Sequence, residues 1–344
     1  MHRCYPKAEI VGVDFSHRSI AIARNLHRRF FGKAKLKFGW ADVTSRGLKK
    51  SLGGEFDFVT CHGVLSYIEE PVQGIAALET CLAPMGALYL GVNGPIHLSQ
   101  FWRPGLRAVG IDPGTFEDGP ELRRILKLFD AMADNEPGFI SGLGADYLSS
   151  DLFGPIIHNW PLTRWIQLCG QHGLFLRGSY WSHQVLRSVI NRELYEELLP
   201  RSRAQAHVLT DKIAPTGFHW LVFDRSKEPA GLWTNESQLL RHAVVQTKLY
   251  NVKWPGQRQA GRGSPRVVLK SKSTNTYVEV KLPAGFIELI HHCNPATALR
   301  DLLPSLPVRM KFEPLRKYLY LLYLLGAINL RLPEGKPANS SPQL

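Results

Sequence analysis

The sequence lacks the paired cysteines that a disulfide framework or a zinc ribbon requires. Its five cysteines are scattered through 344 residues, and no C-x-x-C pair occurs among them. It also lacks an apolar run as long as the roughly 20 residues that a membrane span needs. No apolar signal core follows the first residues, Met-His-Arg-Cys-Tyr-Pro-Lys. These absences favour a protein of the reducing cytoplasm, with no membrane partner.

Acidic residues are scarce in the last third of the chain. The formal net charge is +13, and from Gly231 onward 16 Lys and Arg stand against 6 Asp and Glu. The basic residues come singly among apolar ones, which favours a solvated basic face over a nucleic-acid site. A non-catalytic protein that binds an acidic partner or nucleic acid through this region stays open as an alternative.

The first 94 residues alternate short β-rich runs with helical patterns, which predicts a parallel sheet built from β-α-β units. Ser16 is placed to cap the first helix, and apolar residues recur after it at helical spacing. The P-M-G segment at residues 84–86 predicts a turn. The expected strands are residues 8–14, 36–40, 56–61 and 87–92, and the expected helices are residues 19–30 and 72–82, with a helical turn at 65–68.

The whole chain is expected to divide into two domains and a tail. Residues 1–229 are expected to form one α/β domain that includes a helical, regulatory region at about 95–215, and residues 230–333 a small winged-helix-like α+β domain. Residues 334–344 read as a disordered tail. The expected helices are residues 120–134, 162–172, 285–292, 296–303 and 313–325, and the expected strands are residues 174–178, 218–224, 266–270, 277–281 and 327–332.

Two acids stand at the ends of successive strands. Asp14 ends the first strand, directly before a capped helix, where its oxygens can bond nucleotide ribose hydroxyls; the alternative is that Asp14 only begins the helix. Asp42 follows the next strand, where it can accept from an exocyclic adenine amine while apolar neighbours sandwich the ring. Phe15, Ala41 and Val43 flank these acids and join them as candidate cofactor-binding residues.

A third feature is the small-residue turn Cys61-His62-Gly63, where the backbone would lie close to a ligand. It follows the buried strand F-D-F-V-T-C and precedes V-L-S-Y-I. A fourth is the segment L-A-P-M-G-A-L-Y-L at residues 82–90, a helix stop that leads into a strand. We therefore add Cys61, His62 and Gly63 to the candidate cofactor site.

Together these four segments resemble the class I S-adenosylmethionine (SAM)-dependent methyltransferases. The V-G-V-D-x-S segment is similar to that family's ribose-binding strand end, A-D-V to its adenine contact, and C-H-G-V-L-S-Y-I to the region that lines the methionine part of SAM. The resemblance covers roughly the first quarter of the chain. It implies a doubly wound Rossmann-like fold, SAM as cofactor and methyl transfer as the reaction.

A narrower resemblance connects the chain with bacterial multidomain protein-lysine methyltransferases. It rests on C-H-G-V-x-S, on Y-L-x-x-D-L-F with Q-H-G-L-F-L-R-G between residues 147 and 178, and on L-P-A-G-F-I-E-L-I with L-x-x-L-Y-L-L-G-A-I-N-L near the end. In that family a methyltransferase core precedes a regulatory region and a winged-helix-like domain. The resemblance implies a protein substrate.

The chain departs from the family at its start. A complete member opens with a strand, an acidic D-x-G-x-G loop and a helix before V-G-V-D, whereas Met1–Lys7 contain no glycine. The fold expected is therefore an incomplete doubly wound sheet without its first strand, which leaves two strand edges unpaired. A fragment of a longer protein, a degenerate scaffold, and a chain that borrows the strand from another chain are the three explanations.

No catalytic residue follows from the sequence. His62, Tyr67, Asn93 and His97 lie on the expected sheet edge, but each has a packing or loop role as its alternative. His158 and the pair His291 and His292 lack further ligands at metal spacing, so we expect no metal site. An NAD-dependent dehydrogenase shares the ribose acid, but the A-D-V segment and the absence of a hydride-transfer constellation disfavour it.

Overall fold

The structure is a computed structural model. It describes residues 8–31, 35–113, 119–132, 138–182, 197–228, 231–242, 244–246, 250–253, 266–271, 277–281, 286, 289, 297–305, 311–324 and 329–331. The contacts divide the chain into two compact units, residues 1–173 with 216–219, and residues 174–215 with 220–344. The predicted boundary at residues 229 and 230 stays a prediction.

The first unit begins with a β-α-β unit, as the sequence predicts. Strand β1 (Ile10–Asp14) and strand β2 (Leu36–Trp40) are parallel, with Asp14 opposite Trp40. Helix α1 (His17–Phe30) connects them, and the Ser16 hydroxyl caps it by accepting from the Ser19 N–H at 3.2 Å. The Arg24 guanidinium donates to the Phe38 carbonyl at 2.7 Å and so ties the helix to β2.

A second parallel pair follows. Helix α2 (Leu48–Leu52) leads to strand β3 (Phe56–His62), and helix α3 (Pro71–Thr80) connects β3 to strand β4 (Leu82–Asn93). In this pair His62 lies opposite Gly91. Within the described ranges β1 and β2 form a two-stranded sheet that shares no hydrogen-bonded ladder with β3 or β4. The two parallel pairs therefore correspond to the interrupted sheet that the sequence predicts.

The predicted turn at residues 84–86 is wrong, because this segment lies inside β4. The helix before it ends at Thr80 instead of residue 82, and β4 already begins at Leu82. The register slips between Phe56 and Phe58, so that Pro84 and Gly86 form an irregularity in the strand. A Cβ on Gly86 would lie 2.9 Å from the Phe56 carbonyl oxygen, so only glycine fits there.

Helices complete the described part of the first unit. The predicted helix 120–134 is α5 (Pro120–Met132), and the predicted helix 162–172 is α7 (Leu162–Gln171). Helix α4 (Leu98–Ala108) lies between β4 and α5 in the chain. Helix α6 (Ala145–Tyr147) and a π-helical turn, Leu148–Leu152, lie between α5 and α7. Their core consists of Trp102, Leu106, Leu122, Leu126, Ile140, Leu148, Leu152 and Phe153.

The second unit contains the antiparallel pairing of β5 (Phe175–Ser179) with β6 (Phe218–Asp224), with Phe175 opposite Asp224. Both strands match the predictions. Helix α8 (Arg203–Ile213) starts with a capping box, in which Ser202 and Gln205 satisfy each other's backbone N–H groups. Phe218 and His219 at the start of β6 belong to the first unit.

The rest of the second unit contains short strands and helices. Strands at residues 250–253, 266–271 and 277–281 form one antiparallel sheet, and strands at residues 297–298, 244–246 and 329–331 form another. The predicted helix 296–303 is shorter than expected because a short strand at residues 297–298 occupies its start. Of the predicted helix 285–292 only Phe286 and Leu289 are described, and both are helical; the tail 334–344 lies outside the described residues. The winged-helix assignment stays a prediction. The elements are α9 (Glu236–His242), β7 (Val244–Gln246), β8 (Tyr250–Lys253), β9 (Arg266–Ser271), β10 (Tyr277–Lys281), β11 (Thr297–Ala298), α10 (Leu299–Leu302), α11 (Phe312–Leu324) and β12 (Asn329–Arg331).

A buried charged group joins α8 to α11. The Arg203 guanidinium lies 3.9 Å from the Tyr323 ring centroid and donates to the Tyr323 carbonyl. The Glu228 carboxylate accepts from the Arg203 backbone N–H at 3.1 Å and from the Trp233 indole at 2.8 Å. Burial raises the pKa of Glu228 and lowers the pKa of Arg203. We call these four residues the Arg203 cluster; they hold the two helices together.

No helix in the ranges given above is long and apolar enough to cross a membrane.

Candidate functional site

The carboxyl ends of β1 and β2 bring the first predicted site residues together. Asp14 lies opposite Trp40, and the Ala41 N–H donates to the Asp14 carbonyl at 3.1 Å. One carboxylate oxygen of Asp14 accepts from the Ser16 N–H at 2.7 Å. Asp14 therefore also supports the start of α1, which was the alternative interpretation, and the other oxygen of the same carboxylate faces no partner in the described ranges.

Asp42 stands two residues beyond the end of β2 and is exposed. One of its carboxylate oxygens accepts from both the Thr44 N–H and the Thr44 hydroxyl, each at 2.8 Å. These bonds close a local turn that fixes the carboxylate just past the strand end. Ala41 beside it is buried, and Val43 is half-buried.

Exposed aromatic rings flank the two acids. Phe15 and Trp40 are 74% and 55% exposed, which is high for large apolar side chains beside a sheet. The Trp40 indole N–H donates to the Phe15 carbonyl at 2.6 Å, and the ring stacks on His17 at 5.5 Å. Sequence reasoning included Phe15 but missed Trp40 and His17 as part of this wall, although Trp40 directly precedes the A-D-V segment.

Of the predicted turn Cys61–Gly63, Cys61 and His62 lie inside β3, and only Gly63 follows the strand. The backbone packs closely here, as the small residues predict. Gly63 has φ of +66°, a conformation that favours glycine, and its N–H donates to the Gly91 carbonyl at 2.9 Å. A Cβ on Gly91 would lie 2.3 Å from the His62 ring. His62 is exposed and lies 3.0 Å from the Tyr89 hydroxyl. Cys61 is buried, and burial raises the pKa of its thiol to about 12.

A polar cluster lies just beyond the ends of β3 and β4. The phenol oxygen of Tyr67 is 2.8 Å from Asp151 Oδ1 and 3.1 Å from the side-chain amide of Asn93. The Asn93 N–H donates to the Ser66 hydroxyl at 2.8 Å, and the Trp165 indole donates to the Asn93 carbonyl at 3.2 Å. We call Ser66, Tyr67, Asn93 and Asp151 the polar cluster. Sequence reasoning named Tyr67 and Asn93 as candidates, whereas Asp151, 84 residues from Tyr67 in the chain, entered only as the acid of the Y-L-x-x-D-L-F segment and was given no role.

His97 caps the helix that follows β4. Its Nδ1 lies 2.9 Å from the Ser99 hydroxyl, which accepts from the Asn159 amide at 2.8 Å. Burial lowers the pKa of His97, while the negative charge of Asp151 opposes this shift. These contacts make His97 a neutral structural residue at neutral pH, so its packing role has direct support. No group of three potential metal ligands occurs in the part of the chain that the structure covers.

Comparison with known proteins identifies the class of domain to which this site belongs. Residues 1–88 match a family model described as a methyltransferase domain. A ubiquinone biosynthesis O-methyltransferase of Pseudomonas paraeruginosa is 29% identical over 83 residues, 24% of this chain and 34% of that enzyme. The chain therefore carries a class I methyltransferase domain, and SAM is the cofactor that this class of domain indicates.

Two further relatives extend over most of the chain. An uncharacterized protein of Synechococcus sp. is 28% identical over 271 residues, 73% of this chain, and this chain spans only 63% of that protein's length. PKMT2 from Rickettsia typhi has a similar fold, with a TM-score of 0.52 and 13% identity over 96% of this chain and 67% of that one. The same protein in complex with AdoHcy gives a TM-score of 0.50. The mixed α/β methyltransferase fold is thus confirmed.

Proposed function

We propose that the chain transfers a methyl group from SAM to lysine side chains of a protein substrate. The family match over residues 1–88 carries the methyl-transfer part. The lysine specificity is supported by the likeness in fold to PKMT2, a Rickettsia protein-lysine methyltransferase. This chain spans only about two thirds of the length of these proteins, so both its activity and its substrate are proposed.

The ends of β1 and β2 fit the nucleoside part of the cofactor. The available oxygen of Asp14 is suited to accept from ribose hydroxyls, because carboxylates accept at both oxygens. Asp42, fixed by Thr44, is suited to accept from an adenine amine. Phe15 and Trp40 offer exposed aromatic surface on which a planar base packs.

The turn after β3 fits the methionine part. The His62 ring packs on Gly91, whereas the space beside the Gly63 Cα holds no other atom of the chain within 4 Å of where a Cβ would lie. Cys61 contributes an uncharged thiol to the wall of this turn, because burial raises its pKa. Ala41 and Val43 complete the proposed cofactor-binding residues near the adenine.

Bound SAM supplies a methyl group on a sulfonium: the lone pair of a deprotonated lysine amine forms the new N–C bond, and the C–S bond breaks with its electron pair on sulfur. The contribution of the protein to such a displacement is mainly alignment of the reacting atoms. We also propose a cytoplasmic location, because the described cysteines Cys61, Cys81 and Cys169 are buried free thiols.

The test is transfer of labelled methyl groups from SAM to proteins in a lysate, with mass spectrometry to locate the label. We expect methyl-lysine in the acceptor and SAM binding in a calorimetric titration. Failure of the chain to bind either SAM or S-adenosylhomocysteine would contradict the whole proposal. A chain that binds SAM but places the label on an oxygen or on arginine would remove only the lysine part.

A further inference from the structure

The position of Asn93 is fixed on every side but one. Both of its backbone groups are hydrogen-bonded, to Ser66 and to Trp165. Its side chain is fully buried, yet one of its two amide atoms has no hydrogen-bond partner among the described residues. A buried polar atom without a partner destabilises a folded protein, because it has given up its hydrogen bonds to water. Such an atom at the end of a central strand therefore calls for a ligand that the chain itself does not supply.

The proton of Tyr67 decides which amide atom this is. A phenol carries one proton, and burial raises the pKa of Tyr67, which keeps that proton in place. A carboxylate only accepts, so at 2.8 Å the proton is donated to Asp151. The Tyr67 oxygen must then accept from Asn93 at 3.1 Å, which requires the amide nitrogen on that side. Oxygen and nitrogen of an asparagine amide are exchangeable assignments, so the atom without a partner is the carbonyl oxygen.

The polar cluster therefore presents two kinds of acceptor. The Asn93 carbonyl oxygen has no donor, and the Asp151 carboxylate brings a negative charge. Tyr67 and Asp151 are partly exposed, so the cluster is reachable from solvent on their side. Acceptors of this kind fit a group that has several N–H donors and a positive charge.

We propose that Asn93 and Asp151 bind the primary amine of the methyl acceptor, with Tyr67 as the residue that positions both. An alkylammonium has three donors, and two of them are enough for Asn93 and Asp151. Once the third proton has left to solvent water, which reaches the cluster on its partly exposed side, the two remaining N–H bonds still hold the nitrogen and direct its lone pair away from both acceptors. The choice of a lysine amine rests on the proposed function, whereas the binding of an ammonium group does not.

The nearby cofactor turn makes this placement chemically useful. His62 lies opposite Gly91 in the β3–β4 register, and Asn93 is only two residues further along β4. The polar cluster and the turn Cys61–Gly63 thus follow the ends of two neighbouring parallel strands. The carboxyl ends of parallel strands are where ligands bind in open α/β sheets.

The test compares Asp151→Asn and Asn93→Leu with the parent chain. The assay uses Nα-acetyl-lysine methylamide as acceptor and measures KM and kcat separately, with the Kd of S-adenosylhomocysteine from calorimetry. We expect KM to rise about ten- to hundred-fold in Asp151→Asn and about tenfold in Asn93→Leu, as for lost hydrogen bonds to a charged group. The Kd of S-adenosylhomocysteine should be unchanged. Asp57→Asn, the same change at an exposed carboxylate on β3, is the matched control.

A second measurement covers a chain that does not turn over or a variant that does not fold. Binding of n-butylammonium, with n-butanol as the uncharged comparison, is titrated in the presence of S-adenosylhomocysteine. Binding of the ammonium that is lost in Asp151→Asn, and reduced in Tyr67→Phe, supports the inference even if no methyl transfer occurs. Undiminished ammonium binding or an unchanged KM in Asp151→Asn overturns it, and so does a parent chain that does not bind n-butylammonium. A variant at Asp151 or Asn93 that binds S-adenosylhomocysteine more weakly but keeps full affinity for n-butylammonium would also overturn it, since the group bound would then be the ammonium of the cofactor.

Discussion

The Arg203 cluster and the polar cluster both bury hydrogen-bonding groups, but they do so differently. In the Arg203 cluster, the Arg203 guanidinium lies over the Tyr323 ring and donates to the Tyr323 carbonyl, and the Glu228 carboxylate accepts from the Trp233 indole. One guanidinium nitrogen, Arg203 Nε, has no hydrogen-bond partner among the described residues. In the polar cluster, Asn93 keeps one buried amide atom without a partner. The Arg203 cluster holds two helices together, whereas the polar cluster leaves an amide atom that can hydrogen-bond to a ligand. Neither burial nor a missing partner alone separates structural from functional residues; the polar cluster differs in that Asn93 stands at the carboxyl end of a parallel strand, where ligands bind in open α/β sheets.

The largest expected effect is the loss of Arg203. Arg203→Met should lower the free energy of unfolding by about 3–5 kcal/mol, because the buried Glu228 would lose one of the two positive charges near it, leaving Arg177, and the Tyr323 carbonyl would lose its donor. Urea denaturation followed by circular dichroism measures the change. Arg300→Met is the matched control, since Arg300 is 67% exposed beside Asp301, and it should change stability by no more than about 1 kcal/mol. Equal effects of the two changes would show that the Arg203 cluster contributes no more than a surface pair.

The next effect concerns the proposed cofactor site. Asp14→Asn keeps an oxygen for the Ser16 N–H but removes the charge and one acceptor. The affinity for S-adenosylhomocysteine should fall by about 1.5–3 kcal/mol, as for hydrogen bonds to a charged group. Isothermal titration calorimetry checks this, with Asp57→Asn as control. Full affinity in Asp14→Asn would mean that Asp14 only supports the start of α1.

The effect of Asp151→Asn on stability tests whether the polar cluster is structural, as the Arg203 cluster is. The new amide oxygen can still accept from Tyr67, and no ion pair is lost in the described contacts. We expect the free energy of unfolding to change by less than about 1 kcal/mol, in contrast to Arg203→Met. A thermal melt of the two variants side by side makes the comparison. A large destabilisation would move Asp151 into the structural class that the Arg203 cluster represents.

The smallest effect is a pH dependence from His97. Because burial lowers the pKa of folded His97, the unfolded chain binds more protons below the ordinary histidine pKa of about 6.5. The contribution of His97 to stability is therefore complete above that pH and is lost as pH falls through the folded pKa. His97→Asn keeps a good helix cap, and its stability should decline less steeply than that of the parent chain as the pH falls below about 6.5. Parallel curves would contradict the pKa direction.

The local elements could be predicted from sequence because local chemistry determines them. Ser16 caps α1 as expected, and β2 spans the predicted residues 36–40. The irregularity in β4 could not be predicted, because the approach of Gly86 to the Phe56 carbonyl depends on strand register. Asp151 was missed for the same kind of reason: its partner Tyr67 is distant in sequence, and no spacing rule connects them.

The separation of β1 and β2 from the β3–β4 pair has a consequence for local unfolding. A two-stranded sheet with one helix has few cooperative neighbours, so it can open without disturbing the rest of the molecule. Amide hydrogens of β1 and β2 should exchange with deuterium well before those of Leu88, Leu90 and Val92, which are fully buried in β4. A nucleoside held by Asp14 and Asp42 would slow this exchange, because binding to the closed form alone shifts the opening equilibrium.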